Sequence, residues 1–400
     1  MTSAICPEER CTGCNACANI CPKECISMIS RSEGFLYPEI DLERCDHCGA
    51  CRCVCPILHP VPTALLAASH VVACWNRDEP IRFQSTSGGA FSALADQILD
   101  SGGVVFGAAF DEEMRVRHIA VQRKENLGRL RGSKYIQSDI ARSYVEARNI
   151  LRQNRSVLFS GTPCQIAGLS AFIGEENGDL VTCDVICHGV SSPGLFARYV
   201  DHLERRFRAK LVHISFRHKL HGWHLPSTMA SFKDGRERVL TDLADAFMYG
   251  FINDLTLRPA CYSCPYANVD RISDVTLGDF WGIGDLAPFS HPTRNGVSLV
   301  LVNSERGRQL LAESAPSLYC EDRSLEEAKH KHDRLRHPAC EPMHRHEVFI
   351  DYLGLDYEQF ARRHLVDKNP ERLIKRIVPR AWLLHLRETL GRLERLLVRR

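Results

Sequence analysis

From residue 71 onward the chain alternates short apolar runs with segments whose apolar residues recur at helical spacing. The runs are VVFGAAF at 104, VLFS at 157, LVTCDVI at 180, LVHISF at 211, VTLG at 275 and VSLVLVN at 297, each of strand length. Helical spacing follows several of them. After STSGG (Ser85 to Gly89) come Phe91, Leu94, Ala95, Ile98 and Leu99, so these glycines stand just before a helix start, with backbone amides open to an anion or a flavin edge. After GTPCQ (Gly161 to Gln165) come Ile166, Leu169, Phe172 and Ile173. After CHGVSSPG, with Ser192 as N-cap and Pro193 as first helical residue, come Leu195, Phe196, Tyr199, Val200 and Leu203. This alternation predicts a body of α+β or α/β class, with Cys164 and Cys187 on turns at strand ends.

The two ends of the chain break the pattern. A cysteine-dense module occupies 1–60, and PILHPVPTALLAASHV, with three prolines and no charged side chain, predicts a linker over 61–70. The body then divides into 71–153 and 154–325, and 326–400 forms a helical tail. In the tail, Glu371 to Arg400 holds nine arginines and lysines against three glutamates, with Leu383, Leu386, Leu390, Leu393 and Leu397 on one face and Pro379 and Trp382 at its start. A basic amphipathic helix of this kind packs against protein or a second subunit, or lies on an anionic membrane surface.

Overall charge changes little, at a formal +2 over 400 residues, so nucleic acid is not expected as a partner. The longest apolar runs, such as Val297 to Val302, fall far short of a membrane span. MTSAICPEERC at the start lacks the basic and apolar regions of a signal peptide, and a cytoplasmic location is expected. In a reducing compartment the nineteen cysteines read as metal ligands rather than cross-links.

Their spacing sharpens that reading. Cys11, Cys14, Cys17 and Cys21 precede Pro22, and Cys45, Cys48, Cys51 and Cys55 precede Pro56, each run being C-x2-C-x2-C-x3-C-P. In this arrangement three thiolates hold one [4Fe-4S] cluster and the fourth, turned away by its proline, ligates the other. Cys11, Cys14, Cys17 and Cys55 are therefore assigned to one cluster, and Cys45, Cys48, Cys51 and Cys21 to the second. Zinc, the alternative for any C-x2-C pair, has no use for eight cysteines in a crossed pattern. Cys6, Cys25 and Cys53 lie outside the pattern and are expected as small buried side chains. Cys164, Cys187 and the C-x2-C pair Cys261 and Cys264 are expected to close one more four-thiolate site. Turn positions near helix N-termini would lower the thiol pKa there. On chemistry alone, zinc and a third [4Fe-4S] cluster serve equally; Cys183 is expected as core packing.

The ordered segments STSGGAFSALA, GSKYIQSD, LFSGTPCQIAGL, CDVICHGVSSP, SFRHKLHGW, CYSCPYANVDRISDVTLGDFWG and NGVSLVLVNSERG resemble the beta-subunit family of coenzyme F420 hydrogenases and dehydrogenases, over about residues 1 to 320. The family also includes reductases of chlorophyll precursors and bacterial proteins associated with surface polysaccharide synthesis, the type resembled most. The resemblance implies a two-cluster ferredoxin module ahead of a mixed α/β flavin-binding body with its own [4Fe-4S] cluster on Cys164, Cys187, Cys261 and Cys264. It implies FAD held by Thr86, Ser87, Gly88 and Gly89 with Ser133, Lys134, Tyr135, Gln137 and Ser138, beside Thr162 and Gln165. Asp274, Asp279 and Trp281 match positions near the flavin. Where related sequences often carry an acidic residue this chain has His218, and with Lys219 and His221 it forms a candidate catalytic group; His224 adds a further imidazole. Plainer alternatives stand beside these: a helix cap at STSGG, a solvated Lys134, polar loop histidines, a turn cap at Asp279. The function implied is an iron-sulfur flavoprotein oxidoreductase passing electrons between clusters and FAD to act on a deazaflavin, small organic or glycan-precursor substrate. The alternative is a non-catalytic electron-transfer subunit. The partners expected are a ferredoxin or a hydrogenase or dehydrogenase subunit, and a small-molecule substrate.

Overall fold

The computed structural model describes residues 4–63, 70–174 and 178–366. The basic stretch Glu371 to Arg400, with Pro379 and Trp382, lies outside the described residues. An N-terminal hairpin pairs β1 (Ile26–Ser30) with β2 (Leu36–Ile40). The body is built on an eight-stranded sheet of β3 (His70–Asn76), β4 (Val104–Phe110), β5 (Val116–Val121), β6 (Val157–Gly161), β7 (Leu180–Val185), β11 (Val275–Asp279), β12 (Ser298–Val302) and β13 (Leu318–Arg323), in the order β13-β3-β12-β11-β7-β6-β4-β5. A separate antiparallel sheet holds β8 (Leu211–His218), β9 (Ser227–Phe232) and β10 (Glu237–Leu240). LVHISF, which begins β8, thus stands outside the main sheet that the other apolar runs build.

Strands β4, β6, β7 and β11 run parallel, which is why they read as unbroken apolar runs: both faces are buried. On one face, Val105, Leu158, Val181 and Val300 pack under the helices Ala90–Asp100 and Glu305–Glu313. On the other, Val104, Phe106, Val157 and Phe159 pack under Ser143–Leu151 and Pro163–Ile173. The helix starts follow their sequence cues. Ser192 Oγ accepts the Leu195 N–H, and Thr162 forms a capping box with Gln165.

The N-terminal module shares its core with the body. Phe35 and Tyr37 from the hairpin are buried with Leu195, Phe196 and Phe247. Gly34 approaches Gly194 so closely that a Cβ would lie 2.5 Å from Ser192 Oγ, at a φ of +78° that also favours glycine. Arg258, 1 % exposed, donates to the carbonyls of Cys11 (2.6 Å) and Leu36 (3.0 Å) and to Gln137 Oε1 (3.1 Å). Gln137 in turn accepts the Leu36 N–H (2.9 Å) and donates to the Leu36 carbonyl (3.3 Å). Among the described residues no helix is long and apolar enough to cross a membrane.

Replacing Gln137 with alanine strands the Leu36 N–H and one Arg258 N–H in a dry interface, at a cost of about 2 kcal/mol. The expected outcome is a thermal midpoint several degrees lower for Gln137→Ala than for the unaltered protein. Gln137→Glu keeps the acceptor for the Leu36 N–H and the guanidinium but sets an oxygen against the Leu36 carbonyl, so it recovers only part of the loss in the same measurement.

Candidate functional site

Three cavities follow one another from the N-terminal module into the body. The first is lined by Cys11, Cys14, Cys17 and Cys55 together with Cys6. The crossed spacing thus brings a cysteine of the second run to the first three. The other four begin at Cys21, whose sulfur lies 3.4 Å from that of Cys25, with Cys45 close by. The inner set is the more enclosed: Cys11 and Cys14 are buried, while Cys48 is exposed and Cys45 and Cys51 are half-buried. Of the cysteines outside the motifs, Cys25 is buried as expected, but Cys53 is exposed on the short helix Ala50–Cys53. Cys6 reaches Cys11 and Cys55, whose thiols are thereby drawn down to about 6.

The second cavity is ringed by Cys164, Cys187, Cys261 and Cys264, with Thr12, Arg258 and the Thr162–Pro163 turn completing its wall. Cys164 comes from the first turn of the helix Pro163–Ile173, Cys187 from the loop after β7, and the C-x2-C pair from the turn at Pro259–Ser263. The helix-start location does not lower these thiols. Burial dominates and pushes all four up, Cys261 to about 12 and Cys264 to about 11. Such thiols ionise only against a cation. Among the described residues, no three His, Cys, Asp or Glu side chains converge as a single metal ion requires; the four cysteines line one small cavity.

The third cavity, of about 320 Å3, opens where β6, β7 and β11 end. That is the carboxyl edge of the parallel block, where open α/β sheets bind ligands, and the volume falls within the range of small-molecule sites. Thr86, Ser87, Gly89, Ser133, Lys134, Tyr135, Ser138, Thr162, Gln165 and Asp279 line it. Gly88 and Gln137 do not. Gly88 backs onto strand β3, where a Cβ would lie 2.4 Å from the Cys74 carbonyl, and Gln137 faces the N-terminal module. Lys134 is buried rather than solvated, and its Nζ donates to the carbonyls of Arg129, Leu130 and Arg131. Burial pushes its pKa down to about 7, against which the three carbonyls favour the ammonium. Its contribution is to fold the loop that walls the cavity.

No pattern along the chain points to His118. It is buried on β5, with Nε2 3.0 Å from the Ser160 carbonyl and Nδ1 3.1 Å from Ser138 Oγ, and Ser138 Oγ also accepts from Gln165 Nε2 at 2.9 Å. Three separate segments of the rim are joined through one imidazole. Only the pairing of β5 beside β4 brings it there; nothing local in VRHIAV signals it.

The candidate catalytic group is dispersed. Lys219 is buried and donates to the carbonyls of Arg82, Ser87 and Asn295 at 2.5 to 2.7 Å, so it pins the STSGG loop from outside the cavity. His221 is exposed, and His224, also exposed, lies 3.1 Å from Thr293 Oγ1. His218 packs edge-on against Phe83 in a neighbouring cavity of about 490 Å3 that also holds Arg129, Arg131 and Arg217. The loop Arg131–Lys134 is common to both cavities. Asp279 accepts from Trp223 Nε1 (2.6 Å) and Arg217 (3.2 Å), so more than a turn is tied there. Asp274 instead joins Thr182 and Ser304 away from the rim, and Trp281 stacks on Trp223 at 4.7 Å.

The cavities share walls. Thr12 belongs to the first and second, and Thr162, Cys187, His188, Gly189 and Val190 to the second and third. The helix Pro163–Ile173 presses on the first: a Cβ on Gly168 would lie 2.9 Å from Cys14 Cβ, and the one proton of Tyr144 Oη is shared between the carbonyls of Cys14 (2.9 Å) and Gln165 (2.7 Å).

Three family models match the chain. One is the 4Fe-4S dicluster domain, over residues 10–57. The other two are the N-terminal and C-terminal parts of the coenzyme F420 hydrogenase/dehydrogenase beta subunit, over 71–143 and 154–328. No curated protein matches it. Among solved structures, a chain of the F420-reducing [NiFe] hydrogenase complex from Methanosarcina barkeri is similar at 16% identity and a TM-score of 0.46, covering 69% of this chain and 91% of that one.

Burial holds His118 down to about 4. Between the unfolded value near 6.5 and about 4, the unfolded chain takes up a proton that the folded one refuses, so stability falls as pH falls through that window. The expected loss at pH 5.0 relative to pH 7.5 is about 2 kcal/mol from this residue. His118→Gln should remove that share of the acid limb when denaturant midpoints are compared at the two pH values.

Proposed function

The chain belongs to the coenzyme F420 hydrogenase/dehydrogenase beta-subunit family and carries a 4Fe-4S dicluster domain ahead of the family body, and from that premise we propose that it is an iron-sulfur flavoprotein oxidoreductase. The observation that carries the proposal is the run of three wall-sharing cavities, two ringed by cysteines and the third lined by hydroxyls, glycines and amides. In this reading Cys45, Cys48, Cys51 and Cys21 hold the outer [4Fe-4S] cluster. Cys11, Cys14, Cys17 and Cys55 hold the inner one, and Cys164, Cys187, Cys261 and Cys264 hold a third. FAD occupies the cavity beyond. The clusters supply one-electron steps and the flavin two-electron exchange with a substrate.

The chain's own residues do the rest. The exposed edge at Cys48 offers a docking place for an electron-carrying partner, such as a ferredoxin or a hydrogenase or dehydrogenase subunit. The four cysteines of the second cavity would suit zinc or a cluster on chemistry alone, and membership of the family favours the cluster. Arg258, placed against both the inner cysteines and the second cavity, supplies positive charge where two sets of thiolates collect. Thr86, Ser133 and Ser138 offer hydroxyls to the flavin, and the His118 network keeps that rim rigid. We place the substrate, a deazaflavin or another small organic or glycan-precursor molecule, at the adjoining cavity with Arg217 and His218.

Anaerobic purification followed by iron and flavin analysis tests the proposal. The expected yield is about twelve irons and one FAD per chain. Cys261→Ser should lose about four irons and leave the dicluster spectrum in place. About eight irons with no flavin would overturn the reading and leave the electron-transfer-subunit alternative, as would activity found only when a larger partner is added.

A further inference from the structure

Cys74 and Cys320 stand outside every proposed ligand set, and their sulfurs lie 3.1 Å apart. They are direct partners across the antiparallel pair β3 and β13, in the register Cys320↔Cys74. The Arg77 N–H donates to the Ser317 carbonyl, which marks that residue pair as a hydrogen-bonded one. Pairs alternate along an antiparallel ladder, so three steps back, Cys74 and Cys320 form a non-hydrogen-bonded pair. Such pairs hold their Cα atoms about 4.5 Å apart, inside the range of about 4.4 to 6.8 Å that a disulfide spans. At that spacing the two sulfurs, 3.1 Å apart, close by about 1 Å to bond.

The two thiols differ in access. Cys320 is exposed on the outermost strand of the sheet, whereas Cys74 is fully buried against the helix Ala90–Asp100. The Cys74 thiol, with a smaller contribution from the Arg77 guanidinium, favours the Cys320 thiolate and outweighs burial and the Asp322 carboxylate, which oppose it. That is the division of labour of an attacking and a resolving cysteine. We propose that Cys74 and Cys320 form a thiol–disulfide exchange site that reacts with low-molecular-weight disulfides of the glutathione type. The Cys320 thiolate attacks the small disulfide, forms a mixed disulfide and releases one thiolate. Cys74 then attacks the Cys320 sulfur, its proton passing to the second small thiolate as that group leaves. Two cysteine thiols are oxidised to one disulfide and the small disulfide is reduced to two thiols.

The product bond would tie the edge strand to the strand that seats the STSGG loop. The Asn76 N–H donates to the Gly88 carbonyl, and the Cys74 carbonyl abuts Gly88 itself. Oxidation therefore braces the strand behind the STSGG loop, which walls the third cavity whatever that cavity holds.

The iron-loaded protein, treated anaerobically with oxidised glutathione, alkylated and digested with trypsin, tests this. The expected product is a dithiothreitol-reversible cross-link between the peptide 309–323, which carries Cys320, and the peptide that carries Cys74. Cys74→Ser and Cys320→Ser should each abolish it, and the oxidised wild-type protein should unfold at a higher temperature than the reduced one. Cys320 recovered only as a free thiol or as its glutathione adduct would overturn the proposal, as would a cross-link that persists in Cys74→Ser.

Discussion

A guanidinium buried without a carboxylate fixes the relation between the two halves of this molecule. Arg258 donates to the carbonyls of Cys11 and Leu36 and to the side chain of Gln137, and its planar head lies over Tyr37 at 3.9 Å. A charge out of water is costly unless its protons are taken up. Here two carbonyl oxygens of the N-terminal module and the Gln137 side chain take up the protons of Nε and one Nη, while the other Nη is buried without a partner among the described residues. Module and body therefore cannot separate without exposing a charge and stranding its acceptors. The chain of cavities follows from that constraint: the inner cysteines sit against the helix Pro163–Ile173 because Arg258 holds the Cys11 loop there.

The rim of the third cavity is held on the same principle. Lys134, Lys219 and Arg82 are buried cations that donate to main-chain carbonyls of loops, with Arg82 reaching Gly296 and Pro292. Loops lack the internal ladder of a helix or strand, and their carbonyls need partners when buried. Each cation supplies several donors at once. The charges that a sequence would assign to a ligand are thus spent on shaping the space for one.

Local features were legible in the sequence and distant ones were not. The crossed cysteine runs, the cap at Ser192 and the strands of the parallel block each depend on residues within a few positions of one another, and spacing reveals them. The roles of Gly88, Gln137 and Lys219 depend on what the fold brings opposite them. A glycine in STSGG looks open to a ligand until strand β3 is placed behind it. His118 was invisible for the converse reason: its partners Ser138 and Ser160 come from segments 20 and 42 residues away. The thiols of the second cavity illustrate a competition of effects, in which burial outweighs the influence of a helix start.

The contact at Gly168 sets an order of events in time. With Cys14 pressed against a helix that has no room even for a methyl group, and with Tyr144 bonded to the Cys14 carbonyl, the Cys14 side of the inner set is walled in once the module has docked. Metal and sulfide arrive as sizeable, charged species and need open access. In the proposed assignment, loading of the inner set belongs before docking, while the outer set, with Cys48 exposed, stays open to filling or repair afterwards. Maturation in that reading is directional, proceeding from the inside of the molecule to its surface.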